Sequence, residues 1–425
     1  MLDAELSTRI LKAVDAGFEE QTEATAELVK YPSLRGQEAT AQDFMARLYA
    51  DRGYAVDRWK INVEDIAHLP GFSPVFTSYD NAFNVVGCHR SATMKGRSLI
   101  LNGHIDVVPT GPADMWTTPP FEPRVEDGWL YGRGGGDMKA GLLAGMFALD
   151  ALRRLGFRPA ADVYLQSVIE EECTGNGALA CLQRGYRADA AIIPEPSGEA
   201  CGAAQVGVMW FQVKVKGYPA HVAYASAGSN AIEACYPLMQ ALHRLEHEWN
   251  RDDHKHPSFV HEAHPLNFVV SKIEGGDWTS SVPSWCTFDV RIGLYPGMDL
   301  AVARKAVTDT IMEAAARDSF LANNPPQIDF HGFQAEGYVY EGGEAKEVLG
   351  AHHGAVYGAA MGDRIFTGTT DARFFGLYAN IPGLVYGPKA EKIHSFDERV
   401  SLESTRKVTQ TIALFVADWC GLEPA

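Results

Sequence analysis

Basic residues are scarce in this chain of 425 residues: 37 Lys and Arg stand against 54 Asp and Glu, a net charge of −17. That balance argues against nucleic acid and against anionic membrane as partners, since both are bound through basic patches. No apolar run approaches the roughly 18 residues that a membrane-spanning helix requires. The N-terminus, MLDAELSTRILKAVDAGFEE, is acidic and amphipathic and lacks the basic start and apolar centre of a secretory signal. The seven cysteines, at 88, 173, 181, 201, 235, 286 and 420, show no paired spacing. An odd, dispersed set points to reduced thiols and a cytoplasmic setting. There is no internal repeat and no low-complexity segment. The glycine-rich run GRGGGDMKAG at 132–141 has no G-K-[ST], so a phosphate-cradling loop is rejected.

What remains is an ordinary globular composition, 46% hydrophobic and 21% charged. The length exceeds what one core usually serves and implies two or three domains. Residues 3–30 read as a helix ended by Tyr31-Pro32, 38–52 as a second helix before Gly53, and 54–61 as a strand. The loop from 62 to 81 is too long to be a mere connector. Four apolar runs then read as buried parallel strands: 98–103, 163–169, 188–193 and 383–386. Helical patterns at 140–154 and 177–184 separate the first three. This alternation predicts an α/β fold, a mostly parallel sheet with helices on both faces. Between 206 and 331 the order changes to β-α-β-β-α-β, the ferredoxin-like pattern, which fits a unit inserted into the first. The expected division is 1–203 with 335–425 for one domain and 204–334 for the other. Gly-rich residues near 202–207 and Pro-rich ones near 325–326 read as linkers.

In parallel sheets ligands gather beyond the carboxyl ends of the strands. Here those ends carry His104, Glu170-Glu171-Glu172, Glu195 and, a few residues on, His394. Asp137 follows Gly134-Gly135-Gly136 at the mouth of an apolar helix. Taken singly, each has a bland reading: a bonded strand-end histidine, a solvated Glu run, a helix-capping Asp. Together they predict a pair of divalent ions, which needs one bridging carboxylate, terminal imidazole and carboxylate ligands, and a further carboxylate left free as base. Asp137 is the expected bridge, with His104 and Glu195 on one ion and Glu172 and His394 on the other. Asp106, two residues beyond His104, is expected to accept the imidazole N–H. One of the adjacent Glu171 and Glu172 can coordinate while the other takes the proton from water.

The motifs GHIDVVP, W-x-x-x-P-F-x-P at 116–123, DGWLYGRGGGDMKAG, EEECTGNG, PEPSG, GYPAHVAYASAGSNAI, GTTDARFF and YGPKAEKIHSFDERV run from about residue 82 to the C-terminus. They closely resemble the acetylornithine deacetylase, succinyl-diaminopimelate desuccinylase and aminoacylase family of metallopeptidases. The resemblance implies a dinuclear centre, usually zinc, with cobalt or manganese as other candidates. It implies His104, Asp137, Glu172, Glu195 and His394 as ligands, Glu171 as catalytic base and Asp106 as its supporting acid. His221 resembles the family's oxyanion-stabilising histidine, often supplied by the other subunit. Arg291 resembles the arginine that holds a substrate carboxylate, a task suited to a planar guanidinium. Their bland readings are a turn cap for His221 and an ion pair with Asp289 for Arg291. Glu at the PEP position is more like the deacylases and carboxypeptidases than the aminopeptidases. Ala225 and Ser280 depart from the Pro and Asn of many members, and Tyr224 and Trp278 are bulky additions, so the pocket is expected to be unusual.

The expected activity is a metal-dependent amidohydrolase that removes the acyl group from an N-acyl amino acid by metal-activated water. A dipeptidase or carboxypeptidase, a hydrolytic deaminase, and a non-catalytic metal-stabilised binding protein are the alternatives. The last would lack a base, whereas Glu171 is present. The resemblance also implies that the inserted domain serves as a lid and joins a homodimer. The H-x-x-E-H sequence from His243 to His247 matches an inverted zinc-protease motif, but nothing supplies a third ligand, and it reads as a solvated helix end.

Overall fold

The computed structural model describes residues 2–425 and contains two principal sheets, each with its own hydrophobic core. In the six-stranded sheet the spatial order is Ala55–Lys60, Phe83–His89, Val163–Val168, Leu99–His104, Ala190–Ile193, Gly383–Val385. The last four run parallel, as the apolar runs predict. Leu99, Ile100 and Leu101 are buried, which is why that strand reads as a continuous apolar run and not as an alternation. The first two strands are antiparallel additions at one edge. Phe83–His89 is not among the strands expected from the sequence.

Helices Ala4–Val29, Ala140–Arg154 and Leu402–Trp419 pack against one another beside this sheet. Asp3 and Ser401 cap the first and last of them, each side chain accepting a backbone N–H of the first turn. At Gly141 any Cβ would collide with the carbonyl oxygen of Pro194. Glycine there lets the helix that follows Asp137 press directly onto the segment that carries Glu195.

The second sheet is antiparallel, in the order Phe268–Gly275, Trp285–Leu294, Gly207–Lys216, Gln327–Ala335. With helices Ala231–Trp249 and Leu300–Ala315 it realises the β-α-β-β-α-β order. Along Gly207–Lys216 the side chains of Met209, Phe211, Val213 and Val215 are buried while Lys214 and Lys216 are exposed, the period-two pattern of a strand with one wet face.

One loop expectation differs from the structure. The Gly-rich stretch expected as a linker is the strand Cys201–Gln205, central in a small sheet between Tyr338–Val339 and Asp363–Phe366. Its small residues carry little hydropathy, yet Gly202 packs on the Tyr340 and Phe366 rings. The 62–81 loop holds one helical turn, Val63–Ile66, and is anchored by buried Ile66 and Tyr79. All seven cysteines are unpaired and buried. Among the described residues no helix is long and apolar enough to cross a membrane.

Candidate metal centre

His104 ends the Leu99–His104 strand, and its ring is 1% exposed. Nδ1 donates to the backbone carbonyl of Asp106 at 2.9 Å, which turns Nε2 toward the cleft. The Asp106 carboxylate is 3.7 Å from Nδ1 and is otherwise engaged: it accepts the N–H groups of Glu171 (3.2 Å) and Glu172 (3.1 Å). The strand stops at His104, so the expected strand-face alternation does not extend to Asp106, and its backbone takes the imidazole instead.

Asp137 lies in an irregular turn, Gly135–Lys139, that precedes the Ala140–Arg154 helix and contains a cis Asp137–Met138 peptide. Gly134 enters the turn at φ 79°, where a Cβ would collide with Val107. Glu398 holds the turn from behind, one carboxylate oxygen accepting from the N–H of Gly136 (2.9 Å) and Asp137 (3.0 Å). Arg133 donates to its other oxygen at 2.6 Å, and both side chains are buried. Lys139, fully buried, donates to the carbonyls of Leu28 and Tyr31, and burial pushes its ammonium down to about 7.

The predicted ligands converge. Asp137 Oδ1 is 3.2 Å from His104 Nε2, and Asp137 Oδ2 is 3.3 Å from His394 Nε2. His394 Nε2 is also 3.0 Å from Glu172 Oε1, while Glu195 Oε1 stands 3.8 Å from His104 Nε2. One carboxylate therefore faces two imidazoles through different oxygens, with a further carboxylate beside each. Glu171 is buried next to them, Oε2 3.9 Å from His104 Nε2, and its carboxylate has no hydrogen bond among the described residues.

The electrostatics show a site short of positive charge. Burial raises the Glu195 carboxyl to about 8 and the Glu171 carboxyl well above its usual range. Burial also lifts Asp106, to about 6. Burial would lower the His104 imidazole, but Glu195 and Asp137 outweigh it and hold it well above its ordinary value. Glu172 is the main cause that pushes His394 up to about 11. Burial would raise Asp137, but the two imidazoles hold it far below the carboxylate range. Raised imidazoles beside a depressed Asp137 carboxyl mark a place where the surrounding carboxylates favour positive charge, as they would favour bound cations.

This donor set fits divalent ions. Imidazole nitrogens and carboxylate oxygens are the ligands of zinc and its neighbours. His104, Glu171 and Glu195 bring ligand atoms within 4.8 Å of one another, and so, as a separate group, do His104, Asp137 and Glu172. Glu195 Oε1 is buried with no hydrogen-bond partner among the described residues, a costly state for an oxygen with no cation to meet.

His221 and Arg291 lie apart from the cluster. His221 is exposed, and its Nδ1 accepts from Ala223 N–H, so within this chain it does cap a turn. Arg291 does not pair with Asp289, which instead accepts from Gln212. Its guanidinium donates to the carbonyls of Asn267 (3.3 Å) and Thr367 (3.1 Å) and has no acidic partner among the described residues. Burial pushes it down to about 10. Thr367 belongs to the wall of a cleft of about 270 Å³ over the cluster, together with Phe366, Gly368, Thr369, Ile393 and Pro196.

Sequence reasoning misses that wall and the Arg133–Glu398 pair. A signal is present: Arg133 lies inside the glycine run, and Glu398 follows His394 by four residues. In the H-x-x-E-H decoy, Glu246 accepts from His243 (3.2 Å), His264 (2.9 Å) and the Phe268 N–H (2.9 Å).

The sequence profile of peptidase family M20/M25/M40 matches residues 100–418. The chain belongs to this family. A protein of Halalkalibacterium halodurans named N-formyl-4-amino-5-aminomethyl-2-methylpyrimidine deformylase is 30% identical to the M20 chain over 440 residues, covering 98% of each. A Bacillus subtilis protein of the same name is 28% identical over 438 residues, covering 96% of this chain and 97% of the other. Among solved structures, the dipeptidase Dug1p of Saccharomyces cerevisiae superposes with a TM-score of 0.78 at 15% identity, covering 99% of both chains. The M20 chain is thus a hydrolase of carbon–nitrogen amide bonds with a candidate metal site at the ends of its parallel strands.

Proposed function

We propose that the M20 chain is a deformylase or deacylase that removes a small acyl group from an N-acyl amine, on two divalent ions, zinc first. The observation that carries the reading is Asp137 facing His104 and His394 through separate oxygens, with the unbonded carboxylate of Glu171 beside them. His104, Glu195 and Asp137 would hold one ion, and Asp137, Glu172 and His394 the other. Bound there, the ions supply Lewis acidity for the amide carbonyl and lower the pKa of water. Glu171 takes the proton from the attacking water and delivers it to the departing nitrogen. Burial raises its carboxyl, and two cations beside it would bring it back down toward the range in which it can take a proton from water and return it. Asp106 fixes the backbone of Glu171 and Glu172 through their two N–H groups.

The formyl group is favoured by the full-length likeness to the two deformylases. A second reading, an N-acyl amino acid, is favoured by Arg291: a guanidinium without an acid, bonded to the cleft wall, is suited to a substrate carboxylate. The pyrimidine in the relatives' name carries no carboxylate, so the two readings separate cleanly.

His221 is assigned to the oxyanion. Its contacts are with its own neighbours, Ala223, Tyr224 and Ser281. None of these contacts is with the cleft cluster, so in this reading it acts there through movement of the 204–334 unit or from a second copy in a homodimer, the arrangement we propose for that unit. The test is a panel of the N-formyl aminomethylpyrimidine, N-formyl, N-acetyl and N-succinyl amino acids, and dipeptides, with and without chelator. Chelator-sensitive cleavage of the formyl pyrimidine ahead of the rest is expected. Turnover of dipeptides alone would overturn the acyl-group assignment.

A further inference from the structure

Glu170 precedes the proposed base and ligand, and its carboxylate faces away from them. It is 2% exposed and has a backbone φ of 66°, the left-handed region that a non-glycine residue adopts only under constraint. Five donors converge on its carboxylate: Arg35 Nε (2.7 Å) and Nη2 (2.9 Å), the Tyr79 hydroxyl (2.8 Å), the Thr174 hydroxyl (3.0 Å) and, more distantly, the Cys173 thiol (3.5 Å). Its own carbonyl accepts the N–H groups of Thr174 (2.9 Å) and Gly175 (2.7 Å), which closes the turn. On the opposite side, Asp106 takes the N–H groups of Glu171 and Glu172. The turn is therefore gripped between two buried carboxylates.

The grip comes from far along the chain. Arg35 follows the first helix, and Tyr79 comes from the long 62–81 loop. Phe76 of that loop packs beneath Arg35, its ring centroid 3.6 Å from Cζ. Asn176 donates to the Tyr79 hydroxyl and to the Ser73 carbonyl, fastening the loop to the helix after the turn. The loop also bonds the four-stranded sheet, Gly332 N–H donating to Pro74 and Gln334 N–H to the Ser73 hydroxyl.

We infer that Arg35 and Tyr79 are positioning residues: through Glu170 they fix the turn so that Glu172 faces His394 and Glu171 faces the cleft. This rests on the assignment of Glu172 as a ligand made above. It also gives the long loop a task, since Tyr79 is its contribution to the site. A residue that only stabilised the fold would act on both ions equally. The grip of Arg35 and Tyr79 closes on Glu170, the residue before Glu171 and Glu172, and on none of His104, Asp137 or Glu195, so its loss is expected to loosen one ion site and leave the other.

The test uses the full chain with Tyr79→Phe, Arg35→Gln and Arg35→Lys. Zinc affinity is measured by competition with a chromophoric chelator, alongside kcat, KM and the thermal midpoint. Loss of an outer partner of a metal ligand typically costs about 10- to 100-fold in affinity or activity. Arg35→Gln is expected to weaken one zinc site by that factor, leave the other unchanged, and lower kcat with little change in KM. Tyr79→Phe should act in the same direction but less, and Arg35→Lys should recover part of the loss. Two zinc sites and a kcat equal to the parent in both Tyr79→Phe and Arg35→Gln would overturn the inference. So would parallel loss of both sites with the thermal midpoint. Should Arg35→Gln not fold, Tyr79→Phe removes one hydroxyl only and decides alone. The zinc titration needs no substrate, so its result holds even where the acyl-group assignment is wrong.

Discussion

Two clusters of histidine and glutamate stand out among the described residues, and only one leaves buried carboxylates short of partners. The cleft cluster is assembled from strand ends and turns separated by up to hundreds of residues: His104, Asp137, Glu172, Glu195 and His394. The other is local, His243, Glu246 and His264, close to one helix end. In the cleft, carboxylates are buried beyond what hydrogen bonds can satisfy, and Glu195 Oε1 has no partner among the described residues. In the helix cluster, Glu246 is satisfied three times over, and His243 is half exposed at 54%. A short motif with ideal spacing is thus filled by its own neighbours, whereas a scattered set with no local spacing leaves charge uncompensated. Unmet charge in a buried place discriminates better than the pattern of letters.

The largest effect is expected from removing Asp137, the proposed shared ligand. Asp137→Ala should abolish binding of both ions and lower kcat/KM at least about 1,000-fold, since metal stabilisation of the transition state is worth several kcal/mol. His243→Ala with His247→Ala should leave metal content and rate unchanged, with elemental analysis and kinetics as the checks. Next in size, Glu171→Gln should retain both ions yet lose about 100- to 10,000-fold in kcat, the usual contribution of a general base. Loss of metal in that variant would make Glu171 a ligand.

Proton linkage sharpens the comparison further. Without metal, the Glu172 carboxylate pushes the His394 imidazole up to about 11, and Glu195 and Asp137 hold His104 well above its ordinary value. Cations must displace the imidazole protons, so metal binding at pH 7 should release protons and affinity should fall as pH falls. Calorimetric titration in two buffers of different ionisation enthalpy measures the release, and a buffer-independent heat would contradict it. The smallest effect is expected at the helix cluster. His264→Ala leaves Glu246 its bond to the Phe268 N–H, and for a partly exposed pair the thermal unfolding cost should be within about 1 kcal/mol.

Most of the residues that converge in the cleft are legible in the sequence because strand ends in a parallel sheet are few and polar residues there stand out against apolar runs. Leu99–His104 and Val163–Val168 are readable for that reason. The supports are not. Arg133 with Glu398, and Glu170 with Arg35 and Tyr79, are ordinary surface-type residues whose burial depends on distant segments meeting. Asp106 stands out in the sequence, but its geometry does not follow from strand alternation, because the strand stops at His104 and the backbone carbonyl takes the imidazole. Cys201–Gln205 reads as a linker because small residues in a strand carry little hydropathy.

On the proposed reading two cations share Asp137. Anomalous diffraction from zinc-loaded crystals, recorded on both sides of the zinc edge, would locate them. Two peaks are expected about 3.5–4 Å apart, one beside each Asp137 oxygen. Peaks at the His243–His264 cluster alone, or none at Asp137, would contradict the account.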